Sequence, residues 1–313
     1  MKSPEVSVII PSRGGASRLP GLIEALAGQQ DAPSFDVLVV LDGDIDNSAG
    51  TLEELSQAHP ELRLDWEVFP ENRGRVAALN RGIEASRGAV VVRCDDDLVP
   101  RADYITQHAA AHRGERIGAV GLYRNIYPDS AYAHAYGREQ DEAFRQQAYD
   151  TPQKARWRYW AGNCSAPREA CVELGGYDPR FDRYGWEDID FGYRLQQAGW
   201  PVHLVPELET AHRVAATTVR VRAMRALHAG AAQRAFETKH GLDLTAHPRG
   251  PWGVLVRTVA AVGTERVLSA AGGAVDRALP RLPAAVGRKA VAALVEGASL
   301  SGIRNPDRAR DRF

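Results

Sequence analysis

Cysteine is scarce: Cys94, Cys164 and Cys171 are the three in 313 residues, and none stands in a Cys-x-x-Cys spacing. An odd, scattered set builds neither a disulfide framework nor a thiolate zinc site, and it fits a reducing cytoplasm. No apolar run approaches the roughly 20 residues that cross a bilayer. The first residues are polar and acidic and lead straight into a strand-like run, without the pattern of a signal peptide. A predominance of one charge is missing too. The 39 basic residues face 40 acidic ones, which leaves no nucleic-acid-scale field over the molecule and argues against a nucleic-acid partner. No Gly-x-Gly-x-x-Gly follows the first strand-like run, so a dinucleotide-dependent oxidoreductase is a poor match. No internal repeat or low-complexity tract is present.

What the chain does have is an alternation of two periods through its first 125 residues. Val6–Pro11, Phe35–Leu41, Leu62–Phe69 and Gly88–Cys94 are short apolar runs of strand length. Between them, residues 18–30, 51–58 and 72–86 space their apolar side chains as helices do. Continuous apolar strands separated by helices predict a mostly parallel sheet covered on both faces, an α/β doubly wound half. Ligands of such sheets bind beyond the carboxyl ends of the strands.

The second half is less regular. Residues 117–126 read as one strand, 131–153 as a polar segment containing a helix, 185–199 as a helix ending at a glycine, and 201–205 as a strand. Ten of the 23 aromatic residues fall between Trp157 and Trp200, about three times an even share. Beyond Pro248 the chain is rich in Ala, Val and Arg and helical, broken at Pro280 and Pro283. From Gly250 onward ten Lys/Arg face five Asp/Glu, so this end is basic. It is expected to pack on the catalytic part or a second subunit, as in a homodimer, or to rest on anionic lipid as an amphipathic surface. The domain boundaries expected are 1–245, divided at 126 into a nucleotide half and an acceptor half, and 246–313.

Two acidic clusters carry the chemistry. Asp95, Asp96 and Asp97 directly follow the strand VVVRC. Adjacent carboxylates repel one another, and a divalent cation resolves the conflict. Hard oxygen ligands suit Mg2+ or Mn2+, which share substrate phosphates rather than fill an all-protein cage. In an extended turn residues i and i+2 point the same way, so Asp95 and Asp97 can serve one ion. The bland alternative is a solvated acidic turn.

The second cluster, Glu187 and Asp188, opens a helix, where the dipole favours ionised carboxylates. A carboxylate beside a sugar hydroxyl is what a general base requires. Asp190 and Arg194 are spaced to pair along that helix. Trp157, Tyr159, Trp160, Tyr177, Tyr184 and Trp186 crowd the same stretch. Aromatic faces stack on sugar rings, although aromatic side chains are more often core. Trp186, next to the acids, is the strongest candidate for acceptor contact.

These pieces in this order resemble the inverting glycosyltransferases of the GT-A fold, in particular family 2. VSVIIPSRG is similar to that family's opening strand and nucleotide loop, and FDVLVVLDGD to its second strand. ENRGRVAALNRGIEASRGAVVVRCDDD resembles its Asn-x-Gly…Ala-x-Asn-x-Gly stretch running into Asp-x-Asp. WAGNCSAPREACVELGGYDPRFDRYGWEDIDFGYRLQQAG resembles its acceptor segment, a small-residue turn and an apolar helix leading to Glu-Asp-x-Asp. The resemblance spans roughly residues 4–240.

It implies that Pro11, Ser12, Arg13, Asp42 and Arg75 line the nucleotide site and that Asp95, Asp96 and Asp97 hold diphosphate and metal. His212, after the strand at 201–205, would be a further metal ligand. Asp188 would be the base and Glu187 an acceptor contact, with Trp160, Gly162, Asn163 and Trp186 on the acceptor side. The implied activity is transfer of a sugar from a nucleotide diphosphate, UDP by default, to an acceptor hydroxyl with inversion in one displacement. The acceptor is a glycan, a lipid-linked sugar or a small molecule, and the place the cytoplasm, including the inner face of the cell membrane. One departure stands out: the family often has Asp-Asp-Gly-Ser after strand two, and here Leu41-Asp42-Gly43-Asp44 leaves a single acid before the glycine.

Other classes fit less well. Asp42, Asp44, Asp46, Ser48, Gly50 and Glu53 fall at EF-hand positions, but position 6 is Asn47 instead of glycine and no helix enters the loop. A sugar-phosphate nucleotidyltransferase on the same sheet would carry a glycine-rich basic loop after strand one, of which Ser12-Arg13-Gly14-Gly15 is a poor version. A non-catalytic sugar-binding protein would have no need of both acidic clusters.

Overall fold

A computed structural model describes residues 3–181, 185–213, 216–246 and 248–309. Among these described residues are ten strands, interspersed with helices: β1 (Val6–Ser12), α1 (Leu19–Ala27), β2 (Phe35–Leu41), α2 (Ser48–Ala58), β3 (Leu64–Val68), α3 (Arg75–Ala85), β4 (Val90–Cys94), β5 (Leu98–Val99) and α4 (Tyr104–Ala110). Then come β6 (Gly118–Val120), β7 (Tyr123–Ile126), a π-helical turn at Ala133–Gly137 continuing into α5 (Arg138–Asp150), β8 (Asn163–Pro167), α6 (Arg168–Glu173), α7 (Glu187–Gln197), β9 (Val202–Leu204) and β10 (Thr210–Arg213). The chain ends in α8 (Val219–His240), α9 (Gly250–Val262), α10 (Glu265–Ala278) and α11 (Ala284–Arg304).

Seven strands form one sheet in the order β3-β2-β1-β4-β8-β6-β9, and β5, β10 and β7 form a smaller one. The left part, β3 to β4, is parallel, as the continuous apolar runs require. Val6, Val8 and Ile10 of β1, Val37, Val39 and Leu41 of β2 and Leu19, Leu22, Ile23 and Leu26 of α1 make one buried cluster. The fold is that of the GT-A class, a mostly parallel α/β sheet with helices on both faces.

Two expectations are corrected. WAGNCSAP reads as a small-residue turn, but Asn163–Pro167 is a strand, β8, antiparallel to both β4 and β6. Residues 117–126 are two strands in two sheets, not one. The break falls at Gly121, whose N–H donates to the carbonyl of Asn163 at 3.0 Å.

The chain clusters into two compact units. One comprises residues 1–124, 147–180 and 187–213, and the other 125–146, 181–186 and 214–313. The second is helical. Val219, Ala223, Leu227 and Ala231 of α8 share a buried cluster with Val291, Leu294, Val295 and Ala298 of α11. A side chain at Gly302 would meet the Leu227 carbonyl at 2.0 Å, and one at Gly230 that of Ser299 at 2.1 Å, so paired glycines let these helices approach. On α9, Val254, Leu255 and Val262 are exposed. Among the described residues no helix is long and apolar enough to cross a membrane.

Candidate active site

β1, β2 and β4 end side by side, and the residues after them interlock. The Ser12 hydroxyl donates to Asp96 Oδ2 at 2.5 Å, and Arg18, at the start of α1, donates Nε and Nη2 to the two Asp96 oxygens at 3.0 and 2.8 Å. Asp96 thus ties the end of β4 to the loop after β1. Asp42 is buried and accepts the backbone N–H groups of Arg73 (2.6 Å) and Gly74 (3.0 Å), fixing the loop that leads into α3. Arg13 donates to the Asp42 carbonyl. Pro11 lies half-buried in β1 beside them.

Asp95 faces another way. Its N–H donates to the Gly162 carbonyl at 2.9 Å, and a side chain on Gly162 would meet Asp95 Oδ2 at 2.1 Å, so only glycine lets β4 and the lead-in to β8 meet here. Arg93, fully enclosed within β4, donates Nε to Asp95 Oδ1 at 2.8 Å and Nη2 to Asp95 Oδ2 at 3.1 Å. Its remaining nitrogen, Nη1, donates to Asp188 at the start of α7. The two acidic clusters, some ninety positions apart in sequence, therefore meet across one guanidinium. Burial pushes the Asp95 carboxyl up, but Arg93 and Arg75 more than offset it and hold it below the ordinary range. For Asp188 burial outweighs Arg93, and its carboxyl sits above the ordinary range.

Glu187 is buried, with its Oε1 3.8 Å from Arg75 Nη1 and its Oε2 lacking a hydrogen-bond partner. Burial, with the nearby Asp188, pushes this carboxyl up to about 7. Asp97 Oδ2 lies 3.1 Å from His212 Nε2, and its Oδ1 is buried without a hydrogen-bond partner. His212 stacks on Tyr123 at 4.4 Å and pairs through β10 with Leu98 of β5, next to Asp97. No group of three or more His, Cys, Asp or Glu among the described residues gathers as a ready metal cage. A carboxylate oxygen left open beside an imidazole does suit an ion such as Mg2+ or Mn2+, which takes its other ligands from phosphates and water.

The model of glycosyl transferase family 2 matches residues 7–171, more than half of the chain, and a model described as the N-terminal domain of galactosyltransferase matches residues 138–218. The chain belongs to glycosyl transferase family 2. An uncharacterized glycosyltransferase, YfnE of Bacillus subtilis (strain 168), is 26% identical over 67% of this chain and 64% of its own. The validoxylamine A glucosyltransferase of Streptomyces hygroscopicus subsp. limoneus is 29% identical over 64% of this chain and 49% of its own. The chain thus spans about half to two thirds of the length of these relatives. In fold, it is similar to the mannosyltransferase PcManGT from Pyrobaculum calidifontis, solved with GDP-Man and Mn2+, at a TM-score of 0.65 and 19% identity, covering 97% of this chain and 89% of that one. It is also similar to TarS 1-349 of S. aureus, solved with UDP-GlcNAc, at a TM-score of 0.52 and 15% identity, covering 96% and 92%.

Within this family-2 chain the residues named on the acceptor side fall in different places. Trp160 is buried at 3% exposure and donates Nε1 to the Tyr177 hydroxyl at 3.1 Å. Asn163 is wholly buried. It donates to the carbonyls of Gly121 and Leu208 and accepts from the Tyr104 hydroxyl, so it locks β8, β6 and α4 together. Trp157, Tyr159 and Tyr177 are core. Trp186, half-buried in the second unit at φ +67°, packs its ring 5.0 Å from Phe236. Tyr184 lies outside the described residues. Asp190 pairs with Arg194 at 2.7 Å, as the spacing predicts, and Arg194 also reaches the carbonyls of Leu174 and Gly176.

Sequence reasoning overlooked Arg93 and Arg18. A signal for Arg93 is visible in VVVRC, because an arginine inside a buried strand requires buried acids as partners. Arg18 gives no such signal, since a basic residue just before a helix is usually solvated.

Proposed function

We propose that this chain transfers a sugar from a nucleotide diphosphate to an acceptor hydroxyl, with inversion at the anomeric carbon. The observation that carries the proposal is the convergence of Asp188 and the acids ending β4 on the single guanidinium of Arg93. A base for the acceptor and a seat for the leaving group have to lie this close for one displacement to serve both.

In the proposed reaction the nucleotide rests against Pro11, Ser12, Arg13, Asp42 and Arg75. Asp97 and His212, next to Asp95, would hold a Mg2+ or Mn2+ ion. When bound, such an ion neutralises the charge that grows on the departing diphosphate. Asp188 takes the proton of the acceptor hydroxyl while that oxygen bonds to the anomeric carbon. The bond from that carbon to the diphosphate oxygen breaks on the opposite face, and the electron pair leaves with the phosphate. The raised proton affinity of Asp188 suits it to this role. Glu187, with one buried oxygen open, would accept a hydrogen bond from the acceptor.

That PcManGT was solved with GDP-Man and TarS with UDP-GlcNAc supports a nucleotide-sugar donor and leaves the base open between guanine and uracil. A thermal-shift screen of nucleotide sugars, with and without Mn2+, finds the donor. Asp188→Asn then tests the base. Transfer is expected to fall about 10³-fold while nucleotide affinity stays within a few-fold, and near-normal turnover overturns the assignment.

A further inference from the structure

Arg93 is the least expected residue of this site. It is 2% exposed and lies in mid-strand between Val92 and Cys94. Its surroundings are fixed from several sides. The guanidinium carbon lies 5.6 Å from the centre of the Tyr177 ring, whose hydroxyl accepts from Trp160. The backbone of Tyr177 is pinned by Asn80 of α3, which accepts its N–H at 2.7 Å and donates to its carbonyl at 2.8 Å. The same ring stacks on Phe191 at 4.4 Å, one turn along α7 from Asp188. The fork of Arg93 is therefore held in plane by packing before any ligand arrives.

We infer that Arg93 is a positioning residue, holding Asp188 at a set distance and orientation from Asp95 during transfer. This inference rests on the reading of Asp188 as base. Two carboxylates brought this close repel, and without a shared cation between them Asp188 would swing away. A planar guanidinium meets both oxygens of Asp95 and still has a nitrogen for Asp188. A lysine ammonium is a point charge on a flexible stem and cannot hold three such bonds in one plane. Arginine and lysine are thus not equivalent at this position, which a role in charge balance alone would not predict.

The test uses the full chain carrying Arg93→Lys or Arg93→Met, assayed for kcat, donor KM, nucleotide affinity and melting temperature. A misplaced reacting group costs about 100-fold. Arg93→Met is expected to lose about that much in kcat, and Arg93→Lys to recover part of the loss. Donor KM and nucleotide affinity stay within threefold in both. In an Asp188→Asn background, Arg93→Lys is expected to have no further effect on the residual rate, because the group it orients is gone.

Three results overturn the inference: kcat within threefold of the parent for Arg93→Lys, additive losses with Asp188→Asn, or nucleotide affinity and melting temperature falling in step with kcat. Where Arg93→Met does not fold, Arg93→Lys decides alone. Near-normal turnover by Asp188→Asn sinks the base assignment itself. An inactive Asp188→Asn beside a fully active Arg93→Lys sinks only the role of Arg93.

Discussion

The loop after β2 and the acids of β4 and α7 are both dense in carboxylates, yet they use them differently. In the loop, Asp42 accepts two backbone N–H groups, Asp44 accepts the N–H of Ser48 at 2.7 Å, and Asp46 accepts from Ala16 and from the Ser48 hydroxyl. These carboxylates hold backbone in place. At the other site Asp95 and Asp188 share an arginine, while Asp97 and Glu187 each keep one buried oxygen without a hydrogen-bond partner. A buried acceptor left open is costly to the fold. The two regions differ in unused acceptor capacity, and not in the number of acids. The resemblance of the loop to a calcium motif dissolves for the same reason.

That contrast can be broken experimentally. The largest effect belongs to Asp188→Asn, with a fall in kcat of about 10³-fold, within the range of general-base catalysis, read in a steady-state transfer assay. Next is Asp97→Asn, expected to lower transfer about 100-fold, as loss of a charge-stabilising group does. It should also remove whatever Mn2+ adds to the thermal shift produced by a nucleotide. An unchanged Mn2+ response would place the ion elsewhere.

Glu187→Gln sharpens the contrast through pH. The folded state raises this carboxyl to about 7 from an ordinary 4.5, so folding favours its neutral form. The linked stability is full below 4.5 and is lost as pH climbs through 7. The glutamine variant should therefore melt several degrees above the parent at pH 8, with the gap closing as pH falls towards 4.5. An equal gap at both ends would show that Glu187 is not neutralised by folding.

The smallest effect is in the loop. Asp44→Ala removes an acceptor at the start of α2, costs about 1 kcal/mol and lowers the melting temperature by roughly 2–4 °C. Activity should be unchanged, and a tenfold loss of activity without unfolding would erase the distinction between the two regions.

Much of the parallel half was legible because its information is local. FDVLVVL becomes β2 with the same ends, and VSVIIP becomes β1 with one residue added. Periodicity needs no distant partner to be read. β8 was missed because NCSAP has neither β-branched residues nor alternation. It is a strand on account of neighbours about 70 positions before it and 45 before it, β4 and β6. The acids were visible as residue types in a pattern. Which of them are tied down and which stay open depends on distant partners, Arg18 for Asp96 and Arg93 for Asp188, and the pattern names neither pairing. The aromatic crowd shows the same limit. Trp157 and Tyr177 are core, as most aromatic side chains are, and Trp160, named in sequence for the acceptor side, is core with them.

The reversed strand β8 also has a consequence for how the molecule is made. Residues 118–120 cannot join the large sheet beside β4, because that place belongs to a segment synthesised more than forty residues later. Until it arrives, the growing chain carries an open sheet edge at β4. Contacts of such long sequence separation form slowly. The arrival of β8 also brings the Gly162 carbonyl to Asp95 and closes the strand that carries Arg93. β9, the acids of α7 and His212 follow later still, so a chain stalled before β8 has an unpaired edge beside Asp95 and lacks its other acids as well.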